Sequence, residues 1–261
     1  MPFADFHGQS IYYVLYERGH PSAPALVLVH GAGGTHLHWP PELRRLPDRT
    51  VLAVDLPGHG KSGGVGRRTI GDYAEAILAL VDDARVKRAV VCGHSMGGAV
   101  AQTFALAYPE RTAGVVLVGT GARLRVAPAI LDGILADFPK TVQLITEWEF
   151  SPDAPERLTR PHAGRMMEVA PEVLRGDFLA CDQFDVMSRL KEIRAPALVI
   201  CGSADKLTPE KYSRHLADQL PQAELLVVSG AGHMVMLEKP QSVTEAVSEF
   251  MVHCGPHRPV L

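Results

Sequence analysis

The chain has 261 residues, 46% of them hydrophobic and 21% charged, an ordinary globular balance that suits one large domain or a core domain carrying an insertion. A net charge of −3 and a pI near 6.5 give no ground for nucleic acid or an anionic membrane surface as a partner, and no apolar run reaches the roughly 18–20 residues of a membrane span. Four widely spaced cysteines, Cys92, Cys181, Cys201 and Cys254, form no C-x-x-C pair, so reduced core thiols are expected rather than a disulfide framework or a zinc site.

In chain order, Met1-Pro2-Phe3-Ala4-Asp5-Phe6-His7-Gly8 lacks a basic start and an apolar core, so no secretory signal is read there and the cytoplasm is the expected location. Residues 10–16 and 25–29 read as strands, as do 50–54, 88–92, 115–118, 197–200 and 224–228. From Ala25 onward these runs are almost continuously hydrophobic, as strands covered on both faces should be. The first is less apolar and is expected at an antiparallel edge. Helical patterns fall at 69–83, 96–108, 209–220 and 241–253. Such alternation implies an α/β domain with a mostly parallel sheet.

One stretch breaks the rhythm. No strand is read between 121 and 190, where helical fragments are divided by Pro128, Pro139, Pro152, Pro155, Pro161 and Pro171. Apolar residues recur at helical spacing around Ile130, Ile134 and Leu135, and again around Met166, Met167 and Val169. A helical insertion of this length is able to cover a site rather than merely connect two strands. The expected division is a core of 1–120 and 191–261 with a helical cap at 121–190. The tail at 255–261 is expected to be loose.

Chemistry concentrates where strands end. Gly93-His94-Ser95-Met96-Gly97 is a G-x-S-x-G between a buried strand and a small-residue helix. Glycines two positions either side remove Cβ atoms that would collide in so sharp a turn. The serine hydroxyl is then held clear of the backbone, with the following N–H and the helix N-terminus aimed at a developing oxyanion. Chance supplies the bare pattern in roughly one chain in ten of this length, so its partners must decide. A serine nucleophile needs a base and a group to orient that base. His233 lies in Ser229-Gly230-Ala231-Gly232-His233-Met234, directly after the last strand, and Asp205 lies in Cys201-Gly202-Ser203-Ala204-Asp205, just past the strand before it. All three side chains are therefore expected on one sheet edge.

With these residues in place, the chain resembles the α/β-hydrolase family. His30-Gly31-Ala32-Gly33-Gly34 is similar to that family's oxyanion segment, and Asp55-Leu56-Pro57-Gly58-His59-Gly60-Lys61-Ser62 to the loop after its fourth strand. The elbow at Ser95, the acid turn at Asp205 and the histidine loop at His233 complete five motifs in register over nearly the whole chain. The resemblance implies an eight-stranded, mostly parallel sheet with helices on both faces and a helical cap. It also implies a Ser95–His233–Asp205 triad, with the N–H groups of Ala32 and Met96 as oxyanion donors. No metal or organic cofactor is implied. Serine at the elbow argues against the dehalogenase and epoxide-hydrolase chemistries of the family, which use aspartate there.

Other residues carry blander expectations. His30 and His94 read as loop-stabilising, Asp55 and His59 as turn-stabilising, and His38-Trp39 as core. Arg123 and Arg125 follow a strand end and could meet an acidic substrate, but solvated arginines are the default. Phe138, Trp148, Met166, Met167 and Phe178 either line an apolar cap wall or form the cap's own core, and sequence does not separate the two. The leading functional reading is a serine hydrolase of carboxylic esters with a small-molecule substrate. The alternatives are an enol-lactonase or C–C bond hydrolase of the same fold, or a small-molecule receptor built on a hydrolase scaffold. Association between copies of the chain is left open.

Overall fold

The computed structural model describes residues 3–20 and 22–254; the tail at 255–261 lies outside them. Eight strands form one sheet: β1 (Phe3–Phe6), β2 (Gln9–Tyr16), β3 (Ala25–Val29), β4 (Val51–Val54), β5 (Ala89–His94), β6 (Thr112–Val118), β7 (Ala197–Gly202) and β8 (Ala223–Val228). Their spatial order is β1-β2-β4-β3-β5-β6-β7-β8. β1 pairs β2 and β2 pairs β4 antiparallel, while every other pairing is parallel. This is the topology the resemblance implies, with the expected antiparallel edge. β1 was not among the apolar runs, because its four residues Phe-Ala-Asp-Phe alternate exposed and buried and carry too little hydrophobic signal.

The helices are α1 (Pro41–Arg44), α2 (Ile70–Asp83), α3 (Met96–Ala107), α4 (Pro128–Ala136), α5 (Phe138–Glu149), α6 (Glu156–Met167), α7 (Pro171–Gln183), α8 (Glu210–Gln219), α9 (Val235–Glu238) and α10 (Pro240–His253). Alternate residues of the central strands feed two cores, as a pleated sheet requires. Val27 and Val29 join Ile77 of α2, Phe104 of α3 and Leu216 of α8 on one face. Leu26 and Leu28 join Leu43 of α1 with Val243 and Val247 of α10 on the other. Covering both faces explains why β3 is buried at all five residues and reads as an unbroken apolar run.

Four helices, α4 to α7, stand between β6 and β7. They bury a small core of their own, including Ile134, Val142, Ile145, Met166 and Leu174. Each is preceded by a non-helical residue and three of them open with proline in the first turn, where the missing N–H costs nothing. The prolines that divide this stretch in sequence therefore mostly mark helix starts. Two are exceptions: Pro152 lies in the turn between α5 and α6, and Pro161 sits inside α6. Of the aromatic and methionine side chains here, Met166 is buried in the small core and Phe138 packs against it, whereas Met167 is exposed.

The tightest point is the turn between β5 and α3. A Cβ on Gly93 would lie 1.9 Å from the Gly97 carbonyl oxygen, and one on Gly97 would lie 2.2 Å from that of Val29. Neither neighbour is a movable side chain. Gly93→Ala is therefore expected to destabilise the fold by more than about 4 kcal/mol, the range of severe backbone clashes. Gly164, in α6, has nothing within 4 Å of the same position, so Gly164→Ala should be neutral or stabilising by up to about 1 kcal/mol. Chemical denaturation of both variants beside the parent checks the pair.

Candidate active site

The Ser95 backbone sits at φ 53° and ψ −115°, a region that non-glycine residues adopt only where the surroundings hold them there. Its N–H donates to the Val118 carbonyl at 2.9 Å and its own carbonyl accepts the Thr120 hydroxyl at 2.8 Å, so the last residue of β6 and the segment after it clamp the turn on both sides. Thr120 can come so close because Gly98 has no side chain: a Cβ there would lie 2.5 Å from the Thr120 methyl carbon. The Met96 N–H is the first of α3 and has no carbonyl one turn back to bond. The segment after β3 passes directly beside the elbow, since a Cβ on Gly31 would lie 3.2 Å from that of Ser95.

His233 and Asp205 arrive from neighbouring strand ends. His233 Nδ1 lies 2.8 Å from Asp205 Oδ2, and both residues are buried. Asp205 Oδ1 accepts the N–H groups of Leu207 and Thr208, each at 2.9 Å, and Oδ2 also accepts the Thr208 hydroxyl at 2.8 Å. Burial opposes the ionised form of Asp205, but His233 and the Thr208 donors outweigh it and hold the carboxyl below its usual range. Burial also opposes the imidazolium of His233, and the Asp205 carboxylate outweighs that, raising its pKa above the ordinary histidine value. Each neighbour of His233 is pinned. The Gly232 N–H donates to Glu238 at 2.9 Å, and the Met234 N–H donates to the Glu149 carbonyl of α5 at 3.0 Å.

Ser95, His233 and Ala32 line one cavity of about 240 Å³. Its apolar wall includes Leu124, Val126, Ile130, Trp148, Phe178 and Leu207. Trp148 and Phe178 therefore do both things their sequence left open: they line the cavity and pack against the small core of the inserted helices. A wider groove of about 1230 Å³ lies near the opposite strand ends, lined by Ala197, Ala223 and Phe250 among others, and contains neither Ser95 nor His233. Among the described residues no three His, Cys, Asp or Glu side chains gather as a metal site. No helix among them is long and apolar enough to cross a membrane.

The structure adds to two sequence expectations. His59 does more than hold its own turn: Nε2 lies 2.8 Å from Asp177 Oδ2 in α7, 118 residues away. Asp177 is buried, and accepts the Gly33 N–H at 2.9 Å and the Tyr73 hydroxyl as well. It ties the segment after β3 to the inserted helices. Sequence reasoning did not single out Asp177; its signal, a charged residue among the buried positions of a helix, is only visible once the buried face is known. Arg123 and Arg125 are exposed, yet both line the cavity rather than merely facing solvent. The bonding and burial of several other residues agree with the bracing or core role expected of them. His30 bridges the Gly31 carbonyl at 2.7 Å and the Leu56 N–H at 3.0 Å, and His94 Nε2 donates to the His233 carbonyl at 3.1 Å. Asp55 accepts the N–H groups of His36 and Lys61 at 2.7 and 2.9 Å, Trp39 is core, and Cys92 and Cys201 are buried thiols.

The sequence profile of the alpha/beta hydrolase family matches residues 26–246. The chain belongs to this family. A solved structure of a thermophilic esterase is 36% identical and superposes with a TM-score of 0.84 over 97% of each chain. The dihydrolipoyllysine-residue acetyltransferase component of the acetoin cleaving system of Pseudomonas putida is 33% identical over 257 residues, 90% of this chain. The chain spans only 65% of that protein's length. The 3-oxoadipate enol-lactonase 2 of Acinetobacter baylyi is 28% identical over 250 residues, covering 89% of this chain and 90% of that one.

Three buried histidines around the site are held neutral. Burial lowers His30 to about 4, and lowers His38 and His94 well below their ordinary value. His30 shows the cause in its bonding, because one ring nitrogen accepts an N–H and only the other can donate. These groups charge near pH 6.5 once unfolded, so the unfolded state binds more protons and stability falls as the pH drops from about 6.5 toward 4. His30 alone contributes ~3 kcal/mol to that loss. His59 and His233 are raised instead, so they are protonated in both states at pH 5 and exchange nothing there. Unfolding at pH 5 should take up about three protons per molecule. Calorimetry in buffers of different ionisation enthalpy measures this uptake; a value near zero would mean that the three rings are already charged in the native protein.

Proposed function

We propose that this protein is a serine hydrolase of small carboxylic esters, with Ser95 as nucleophile, His233 as general base and acid, and Asp205 as the residue that orients His233. The observation that carries the reading is the Asp205–His233 pair at 2.8 Å, with His233 and Ser95 on the wall of one cavity. The esterase at 36% identity supports the substrate class.

In the first step Ser95 Oγ attacks the ester carbonyl carbon as His233 Nε2 takes its proton. The Nδ1–H remains on Asp205, which offsets the imidazolium charge without taking the proton. The tetrahedral oxyanion is held by the N–H groups of Met96 and Ala32, each worth about 3 kcal/mol on the scale of measured donor removals. Collapse expels the alcohol, which receives its proton from His233 and leaves an acyl-serine. Water then repeats the sequence and releases the acid. The inserted helices act as a lid, supported by their contribution of Ile130, Trp148 and Phe178 to the cavity. Lactone opening is the second reading, favoured by the enol-lactonase relative. It uses the same steps with a tethered leaving group.

Asp177 enters as a positioning residue. It fixes Gly33, the residue after the donor Ala32, through a bond of 2.9 Å from a fully buried carboxylate. An amide at this position cannot accept from Gly33, His59 and Tyr73 as a carboxylate does.

Ser95→Ala should abolish turnover of p-nitrophenyl esters while leaving the melting temperature nearly unchanged; retained turnover would sink the reading. In the parent, the raised pKa of His233 means that kcat/KM climbs with pH through a midpoint above 6.5, since the base works only when deprotonated. A profile flat from pH 5 to 9 with chemistry rate-limiting contradicts a histidine base. Asp177→Asn should lower kcat by about tenfold with KM changed by less than about twofold, the signature of a contact made only in the transition state. An unchanged kcat in the folded variant removes Asp177 from this role.

A further inference from the structure

The cavity holding Ser95 has apolar walls but an uneven distribution of charge. Three cations line it, Arg123 and Arg125 from the segment after β6 and Lys206 from the segment after β7. No aspartate or glutamate lines it. All three cations are exposed whereas His233 is buried, so they stand at the mouth and the reacting groups lie deeper.

Their partners differ. Arg123 is paired with Asp185, its Nη2 lying 2.6 Å from the carboxylate, and a backbone bridge joins the same two residues. Arg125 Nη1 donates instead to the main-chain carbonyl of Asp182 at 2.7 Å. The Asp182 carboxylate turns away to accept the Val126 N–H at 3.0 Å. Arg125 is thus anchored outside any direct ion pair, with the Asp185 carboxylate within reach of its charge. Lys206 follows Asp205, whose carboxylate is occupied by His233, Thr208 and Leu207. Among the ion pairs of the described residues neither Arg125 nor Lys206 appears.

We propose that this site selects esters whose acyl or alcohol part ends in a carboxylate, held at the mouth by Arg125 and Lys206. The inference rests on the hydrolase reading above and specifies its substrate class. Two cations outside direct ion pairs, beside apolar walls with no carboxylate among the lining residues, bias the potential in the cavity to positive, which raises the local concentration of an anionic substrate. A guanidinium already fixed by a main-chain bond loses less freedom when it grips a carboxylate with its remaining donors. A cavity of about 240 Å³ is below the usual range of about 300–1,000 Å³ for ligand pockets, so the chain between ester and carboxylate must be short.

The test compares isosteric pairs. Monomethyl adipate against methyl hexanoate probes the acyl side, and 6-acetoxyhexanoate against hexyl acetate probes the alcohol side. In at least one pair kcat/KM should favour the anion by about tenfold, chiefly through KM, as expected of uniform binding. The preference should shrink toward unity at about 1 M salt, where the screening length is roughly 3 Å. In Arg125→Ala/Lys206→Ala the anionic-to-neutral ratio should fall at least fivefold in that pair, whereas Arg189→Ala, an exposed cation outside the cavity, should leave it in place. A ratio of one or less in both pairs, with Ser95-dependent turnover of the neutral esters, overturns the proposal and leaves the hydrolase reading intact. Turnover that survives Ser95→Ala counts against the hydrolase reading instead. Should none of the four esters turn over, calorimetric binding to the parent decides: tighter binding of the anionic member of a pair supports the selection, and equal or weaker binding in both pairs overturns it.

Discussion

The structure depends on one crowded turn. Ser95 is held at positive φ between β5 and α3, and the backbone around it closes so tightly that Gly93 and Gly97 have no room for a Cβ. That crowding brings the start of α3 against the end of β3 and lets the segment carrying Ala32 pass beside the serine. Bonds from Ser95 to Val118 and Thr120 then transmit the position of β6 to the elbow. A half-buried serine lining the cavity, a helix N–H with no carbonyl one turn back and a close neighbouring loop are consequences of the same geometric constraint.

Buried carboxylates hold the surrounding segments in register. Asp205 joins the loops after β7 and β8 through His233, Asp55 braces the segment after β3 through His36, and Asp177 joins that segment to α7. Each accepts from several donors, so its polar atoms are satisfied out of water. The inserted helices are thereby bonded at two places to the segments around the Ser95 cavity. One is Asp177 against Gly33, and the other is the Glu149 carbonyl against the N–H that follows His233.

Long parallel strands were legible from sequence because both of their faces are buried, as β3 and β6 illustrate. β1 was not, since a four-residue edge strand with two exposed positions has almost no periodic signal. Ser95, Asp205 and His233 could be chosen because each follows a strand end and each sits in a recognisable turn. Among twelve histidines, that positional rule points to His233, the one the structure places against Asp205. Asp177 and its partner His59 were beyond it, because their bond spans 118 residues and no local pattern announces it.

By itself the sequence determined the strand and helix order, the elbow, and which residues of each strand-end loop could react, because these follow from periodicity and from local backbone demands. Tertiary structure alone decided how the inserted helices meet the site. It turned Trp148 and Phe178 toward the cavity and Met166 away from it, and it gave Arg123 a carboxylate partner while Arg125 took only a carbonyl. Facing and pairing are properties of two surfaces brought together, and residues far apart in the chain acquire them only when the fold closes.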